Sequence, residues 1–249
     1  GHNPNFAISK RFYAVGIRWL RADMGWPSLE PEPGKFNFEG MDTVIEANVS
    51  AGLNVLGLIG YSPAWASQGK GENRGSEVNR EAWRRFVRTT VERYQDRIRS
   101  WEIWNEPNIP PFWQPLGDPV AYARLLRAAY EEIKKIDPRL QVVFGGVARP
   151  DVPFVAEVCA QTGGGCFDIL AYHPYSFQPE AQMRQDAERM RQVLAQYGRQ
   201  HLPFWLTEDG SGWDFLLRNY TMALAADIAS LYTYDDTFHS GGAPEIDKA

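Results

Sequence analysis

The sequence predicts an α/β fold in which parallel strands alternate with helices, wound as a (β/α)8 barrel. Three observations point there. Short β-branched and aromatic runs alternate with amphipathic helical stripes along the whole chain, the pattern of a parallel sheet covered by helices. The length of 249 residues is near the usual size of one such barrel and is enough for a sizeable core. Two strand-like runs, in WEIWNEPN and PFWLTEDG, end in a glutamate followed by Pro107 or by Asp209-Gly210. In a barrel of parallel strands, such strand ends on one rim are where side chains meet a substrate.

Taken in order, GHNPNFAI could close a first strand, with Ser9–Ala14 as a connector. Gly16–Arg21 is a second strand, and Trp26 lies in the loop after it, where it could wall a cleft. Pro31–Gly34 is a turn. Met41, Val44, Ile45 and Asn48 recur at helical spacing up to Gly52, a residue suited to a helix C-terminus. Asn54–Ile59 is a buried third strand, with Tyr61 and Trp65 on its rim and the polar loop Gln68–Gly75 beyond. Trp83, Phe86, Val87, Val91 and Tyr94 mark a helix starting near Asn79. Its arginines, Arg80, Arg84, Arg85, Arg88 and Arg93, are expected on a solvated face.

Ile98, Trp101, Ile103 and Trp104 form the fourth strand. It ends at Asn105-Glu106-Pro107, because Pro107 cannot donate a ladder hydrogen bond and restricts Glu106. Phe112 and Trp113 fall near the tip of the next loop. Asp118-Pro119 is a cap and a first-turn proline. Tyr122, Leu125, Leu126, Ala129, Ile133 and Ile136 give the stripe that follows. Gln141–Phe144 is the fifth strand, Val152–Cys159 a short helix, and Phe167–Ala171 the sixth strand, leading into Tyr172-His173-Pro174-Tyr175. Met183, Ala187, Met190, Leu194 and Tyr197 make a helix stopped by Gly198. Phe204–Leu206 is the seventh strand, Asp209-Gly210 its turn, Phe215–Ala226 a helix and Ala229–Tyr234 an eighth strand. Six strands are plainly written; the first and the eighth are not. Those two are neighbours in a closed barrel, so it is expected to be trimmed or imperfectly closed at that seam. The tail HSGGAPEIDKA is too short and polar for a normal closing helix. Apolar surface left there would favour a weak homodimer. A single catalytic domain over residues 1–249 is expected, with no internal repeat.

The net charge of −5 argues against nucleic acid, whose binders carry a basic excess. No apolar run is long enough for a membrane span, and no signal peptide is visible at the start. Aromatic residues make up 13% of the chain, nine of them tryptophan. That fits a carbohydrate cleft, since sugar rings present C–H faces that pack on aromatic rings, although most of these side chains are expected in the core. Cys159 and Cys166 are too sparse for a metal site, and no metal or organic cofactor is called for. They are either two free thiols or a local disulfide across the glycine loop; the disulfide would favour an extracytoplasmic setting.

Two glutamates at two strand ends are the minimum equipment for glycoside hydrolysis: one a protonated acid, the other an ionised nucleophile or base. An apolar surround can raise one pKa while hydrogen bonds keep the other carboxylate ionised. WEIWNEPN and WLTEDG together resemble the retaining glycoside hydrolases of clan A, most closely family 39 and its relatives. RWLRADMGWPSLEPEPGKFNFEGMD resembles their second strand and loop, and AYHPY their sixth. The likeness runs from about Gly16 to Tyr234. It implies a (β/α)8 TIM barrel with Glu106 as general acid/base and Glu208 as nucleophile. It further implies Arg21 on the nucleophile, where the alternative is a surface ion pair with Asp23. Tyr61 and Trp65 would sit in a sugar-contacting loop, and His173 and Tyr175 would support the nucleophile. Asn105 would bind the sugar 2-hydroxyl, with Trp26 and Trp113 as further substrate contacts. Where the family usually offers a tryptophan, this chain has Tyr232, Thr233 and Tyr234. The expected function is a retaining β-glycosidase acting on a β-linked oligo- or polysaccharide. The alternative is a carbohydrate-binding barrel with little turnover, since an ångström of misplacement can remove much of the rate.

Overall fold

The computed structural model describes residues 6–175, 179–209 and 213–233. Helix α1 (Phe6–Ala14) precedes strand β1 (Trp19–Gly25), then come α2 (Trp26–Leu29), α3 (Glu39–Ser50), β2 (Asn54–Gly60) and α4 (Arg80–Tyr94). The chain continues through β3 (Ser100–Ile103), α5 (Pro119–Ile136), β4 (Gln141–Phe144), β5 (Val147–Ala148) and α6 (Val152–Thr162). It closes with β6 (Leu170–His173), α7 (Pro179–Ala195), β7 (Phe204–Asp209), α8 (Trp213–Ala225) and β8 (Ser230–Thr233). The strands pair in parallel as β1-β2-β3-β4 and β5-β6-β7-β8, and a bridge between Val143 and Ile169 joins the two ladders. The strands β4 and β5 are two pieces of one strand, broken at Gly145-Gly146. The fold is the (β/α)8 TIM barrel, with seven of its strand positions filled among the described residues.

Alternation along each strand divides the core in two. Leu56, Val143, Ile169, Ala171, Trp205 and Tyr232 fill the barrel interior together with Trp19. Their neighbours Val55, Ile59, Ile103, Phe144 and Leu206 face outward into the helix layer, against Trp83, Phe86, Leu126 and Met190. Trp19 packs edge-on to Trp205, ring centroids 5.2 Å apart, and lies 6.4 Å from Tyr232. These rings draw β1 towards β7 and β8 where no ladder joins them among the described residues. On both sides of that gap apolar side chains stay exposed: Tyr13, Val15 and Ile17 before β1, and Tyr220 and Leu224 on α8.

Several expectations change. Phe6–Ala14 is a helix packed near α3, not a strand end and connector. The strand expected at Gly16–Arg21 begins at Trp19, after a turn in which Gly16 has φ 98°, and runs on to Gly25. The seventh strand does not turn at Asp209: this residue is buried and pairs with Thr233. The arginines of α4 are not simply solvated. Arg84 and Arg88 reach Glu132, Arg85 reaches Glu30, and Arg93 reaches Asp42, so the face clamps α4 to its neighbours. Residues 1–5, Gly210, Tyr234 and the tail lie outside the described residues. No described helix is long and apolar enough to cross a membrane.

The two cysteines are free thiols, so the disulfide alternative and the argument it carried for an extracytoplasmic setting fall away. Cys159 is sealed in the core, and burial pushes its thiol up to about 11. A raised pKa leaves almost no thiolate at about pH 8. Cys159 should therefore be silent to a thiol reagent in the native protein, and both cysteines should react once the chain is unfolded without reductant.

Glu30 is a buried anchor. It accepts from Trp26 Nε1 at 2.7 Å, from the Gly34 amide at 2.7 Å and from Arg85 Nη2 at 2.6 Å. Replacing it by alanine strands those donors and should cost about 3 kcal/mol in urea unfolding. A loss under about 1 kcal/mol would show that the anchor is not needed.

Candidate active site

The two glutamates arrive by different local devices. After β3 the chain enters left-handed backbone at Trp104 (φ 71°) and again at Glu106 (φ 44°). Such angles are uncommon outside glycine and persist only where the surroundings hold them. Here Trp104 N donates to Ile59 O at 2.7 Å, and Glu106 N donates to Gly146 O at 2.9 Å. The indole of Trp104 is buried and donates to Phe112 O at 2.8 Å. The loop is thereby pinned between the ends of β2 and β5, with Glu106 turned inward.

On β7 the pairing with β8 loses register between Leu206 and Asp209. Such an irregularity lets consecutive residues escape the usual alternation of faces. Thr207 and Glu208 both engage groups at the barrel centre. Glu208 Oε2 accepts from Arg21 Nη1 at 3.2 Å, and Oε1 accepts from the Tyr175 hydroxyl. Glu106 Oε1 lies 2.8 Å from His173 Nδ1, which is 3.9 Å from Glu208 Oε2. One oxygen of each glutamate and the His173 nitrogen all fall within 4.8 Å of one another.

Beneath them is a residue that the sequence expectations missed. Glu102 has a fully buried side chain and accepts from Arg21 Nε at 2.6 Å, Gly146 N at 2.9 Å and Thr207 Oγ1 at 2.8 Å. Arg21 spreads its three nitrogens over Glu102, Glu208 and Asn105, the last at 2.8 Å. Burial would lower the Arg21 pKa, but Glu102 and Glu208 outweigh it and hold the guanidinium firmly protonated. Gly146 permits this closeness: a Cβ there would meet His173 Nε2 at 2.2 Å. The signal for Glu102 was present, a charged residue alternating with Trp101 and Ile103 inside a buried strand.

The other expected site residues divide. Arg21, Asn105, His173 and Tyr175 converge on the glutamates, and Arg21 pairs with Glu102 and Glu208 inside the barrel. His173 departs from expectation by hydrogen bonding Glu106 rather than Glu208. Tyr61 stands on the rim against Trp104 and Phe112, and burial, then the Asp23 charge, keeps its hydroxyl protonated. Trp26 and Trp113 are not cleft walls. Trp26 is fully buried, stacked on Phe86 at 5.0 Å. Trp113 is fully buried beside Trp104 and donates to Ser76 Oγ at 3.1 Å. Both indoles are consumed by the layer between α4 and the strands. Trp65 is half-buried on Trp26, with its N–H donated to Glu30 O. Tyr232 points into the barrel interior with Trp19 and Trp205. Glu106, His173 and Glu208 are spaced so that a metal ion could bind, but Arg21 already sets a positive charge on Glu208 and opposes a second one.

The comparisons with known proteins agree with this barrel. The model of Glycosyl hydrolase family 10 matches residues 20–113. A beta-xylosidase of Geobacillus stearothermophilus is 22% identical over 84% of this chain and 51% of its own length. The structure of a monomeric beta-xylosidase from Caulobacter crescentus CB15 superposes with a TM-score of 0.77 at 20% identity, covering 97% of this chain and 59% of that one. A family 39 glycoside hydrolase from Bacteroides cellulosilyticus WH2 superposes with a TM-score of 0.71 at 22% identity, covering 97% and 55%. The chain spans about half the length of the curated relatives it matches, 51% and 44%. By fold the chain is a (β/α)8 barrel similar to those of these glycoside hydrolases, and the local match runs through its second to fourth expected strands.

Proposed function

We propose that the chain is the catalytic barrel of a retaining β-glycosidase, nearer to family 39 than to family 10, acting on β-linked xylose-containing oligo- or polysaccharide. The observation that carries this is the approach of Glu106 and Glu208, with oxygens within 4.8 Å. Inverting enzymes keep their carboxyl groups about 6.5–9.5 Å apart to admit a water, whereas retaining enzymes hold them at about 5–5.5 Å. The sugar rests on the names of the relatives and on the family 39 likeness over nearly the whole chain.

In this reaction Glu106 gives a proton to the leaving oxygen while Glu208 bonds the anomeric carbon and the glycosidic bond breaks. Water then enters, gives its proton back to Glu106 and releases the sugar from Glu208. Arg21 and Tyr175 fix both oxygens of Glu208, so the nucleophile is held before substrate arrives. Asn105 presents Oδ1 to Arg21, which turns its amide N–H towards the sugar 2-hydroxyl. Tyr61 offers a ring at the rim.

The test is turnover of a panel of aryl β-glycosides, with the anomer of the first-formed product read by NMR. Xyloside should be preferred and configuration retained. Glu208→Ala should abolish turnover, and azide should restore it with inverted product. An active wild type whose Glu208→Ala variant keeps its rate would sink the assignment; an inverted product from the wild type would sink the mechanism. Sugar binding without any turnover would return the chain to the carbohydrate-binding alternative. Weak self-association through the exposed apolar side chains beside β1 and α8 belongs to the same proposal. It should appear as a concentration-dependent mass in sedimentation, and a constant monomer mass would exclude it.

A further inference from the structure

Glu106 and Glu208 are joined from below by one buried group, and the joints have a direction. Glu102 accepts from the Gly146 amide and from Arg21 Nε, two groups that can only donate. A carboxylate in its ordinary ionised form has no proton to give, so at the third contact, 2.8 Å, the Thr207 hydroxyl must donate to it. That hydroxyl has one hydrogen. Its remaining contact, 3.1 Å to His173 Nε2, must then be one in which Thr207 accepts. So Nε2 carries a hydrogen, and in a neutral imidazole Nδ1 is left as a lone pair. Glu106 Oε1 stands 2.8 Å from that lone pair and can hydrogen bond to it only by donating.

We propose that Glu102 is a positioning residue which, through Thr207, sets the tautomer of His173 and thereby keeps the proton of the pair on Glu106. The proposal rests on the role of Glu106 as proton donor in the reaction proposed above, while its chain of hydrogen bonds stands without it. Through Arg21 the same carboxylate steadies Glu208 and Asn105. When Glu106 has given its proton to a leaving oxygen, its carboxylate faces the Nδ1 lone pair. That contact is unfavourable until a proton is taken from the incoming water. Glu208 also faces His173, but its Oε2 lies 3.9 Å from Nδ1, beyond hydrogen-bond reach; Tyr175 bonds Glu208, and Tyr61, Tyr122 and Tyr232 lie near Glu102. His173 itself is fully buried, so bulk water does not settle its tautomer.

The experiment is 15N NMR of histidine-labelled whole protein at neutral pH, which reads the tautomer directly and needs no turnover. Wild type should show neutral His173 with its hydrogen on Nε2. Thr207→Val keeps the side-chain shape but cannot accept, so His173 should move its hydrogen to Nδ1, facing an ionised Glu106. Thr207→Ser should restore the wild-type pattern. Glu102→Gln with its amide nitrogen in place of Oε1 gives up the Gly146 N–H bond but offers an N–H to Thr207 and reverses the hydroxyl, again giving Nδ1–H; should it fail to fold, Thr207→Val carries the test. A doubly protonated or Nδ1–H His173 in wild type, or an unchanged tautomer in Thr207→Val, overturns the proposal. Kinetics supply a second arm. Thr207→Val should lose about 100-fold in kcat on alkyl β-xylosides, which need protonation, and under about 10-fold on dinitrophenyl β-xyloside, which does not. An equal loss on both would mean Thr207 is merely structural. A correct tautomer shift in a protein that turns over no glycoside would leave the relay intact and refute only the proposed activity.

Discussion

The buried pair of Arg21 and Glu102 is the interaction on which the candidate site depends. A carboxylate with no exposure is costly to desolvate and is tolerable only when its oxygens are satisfied. Glu102 meets that condition with partners from β1, from the break between β4 and β5, and from β7. Each partner is itself a link to a group on the rim. The fork geometry of arginine suits this, because one planar guanidinium can reach Glu102, Glu208 and Asn105 at once. A lysine could hold the charge balance but not the three directions.

Local backbone cost is concentrated at the same end of the barrel. Tyr61, Trp104, Glu106, Arg149 and Tyr175 all have positive φ, and each follows closely on a strand end. Without glycine at these positions the conformation is held by what surrounds it, here the bonds of Trp104 N and Glu106 N and the packing of the Trp104 ring. Gly145 and Gly146 serve the opposite purpose. A Cβ at Gly145 would meet Ile103 O at 2.3 Å, so the strand must lack a side chain to run this close to β3. The rim is thus shaped by side chains that force the chain to turn and by glycines that let it approach.

Much of the fold was legible in the sequence. The strand at Gln141–Phe144, the capped start of α5 at Asp118-Pro119 and the stripe of α4 are local patterns, and the structure keeps them. The paired glutamates stood out by a similarly local pattern, a carboxylate beside Pro107 or beside Asp209-Gly210, although β7 runs on through Asp209 instead of turning there. The tryptophans were not. Trp26 and Trp113 follow strand ends as rim residues would, yet both are buried, because an aromatic side chain in a loop goes wherever the helix layer leaves room.

The sequence alone determined the alternation of strands and helices from Trp19 onward, the stripes that α3, α4, α5 and α7 bury and the two carboxylates near strand ends. These depend on periodicity and on turn chemistry within a few residues. Tertiary structure alone decided that His173 serves Glu106, that Thr207 and Glu208 both reach the barrel centre, and that Glu102 ties them together. Those contacts join β1, β3, β6 and β7, whose closeness exists only once the sheet has curved round on itself. The change of register on β7 also turns side chains against the alternation that a strand's own sequence can express.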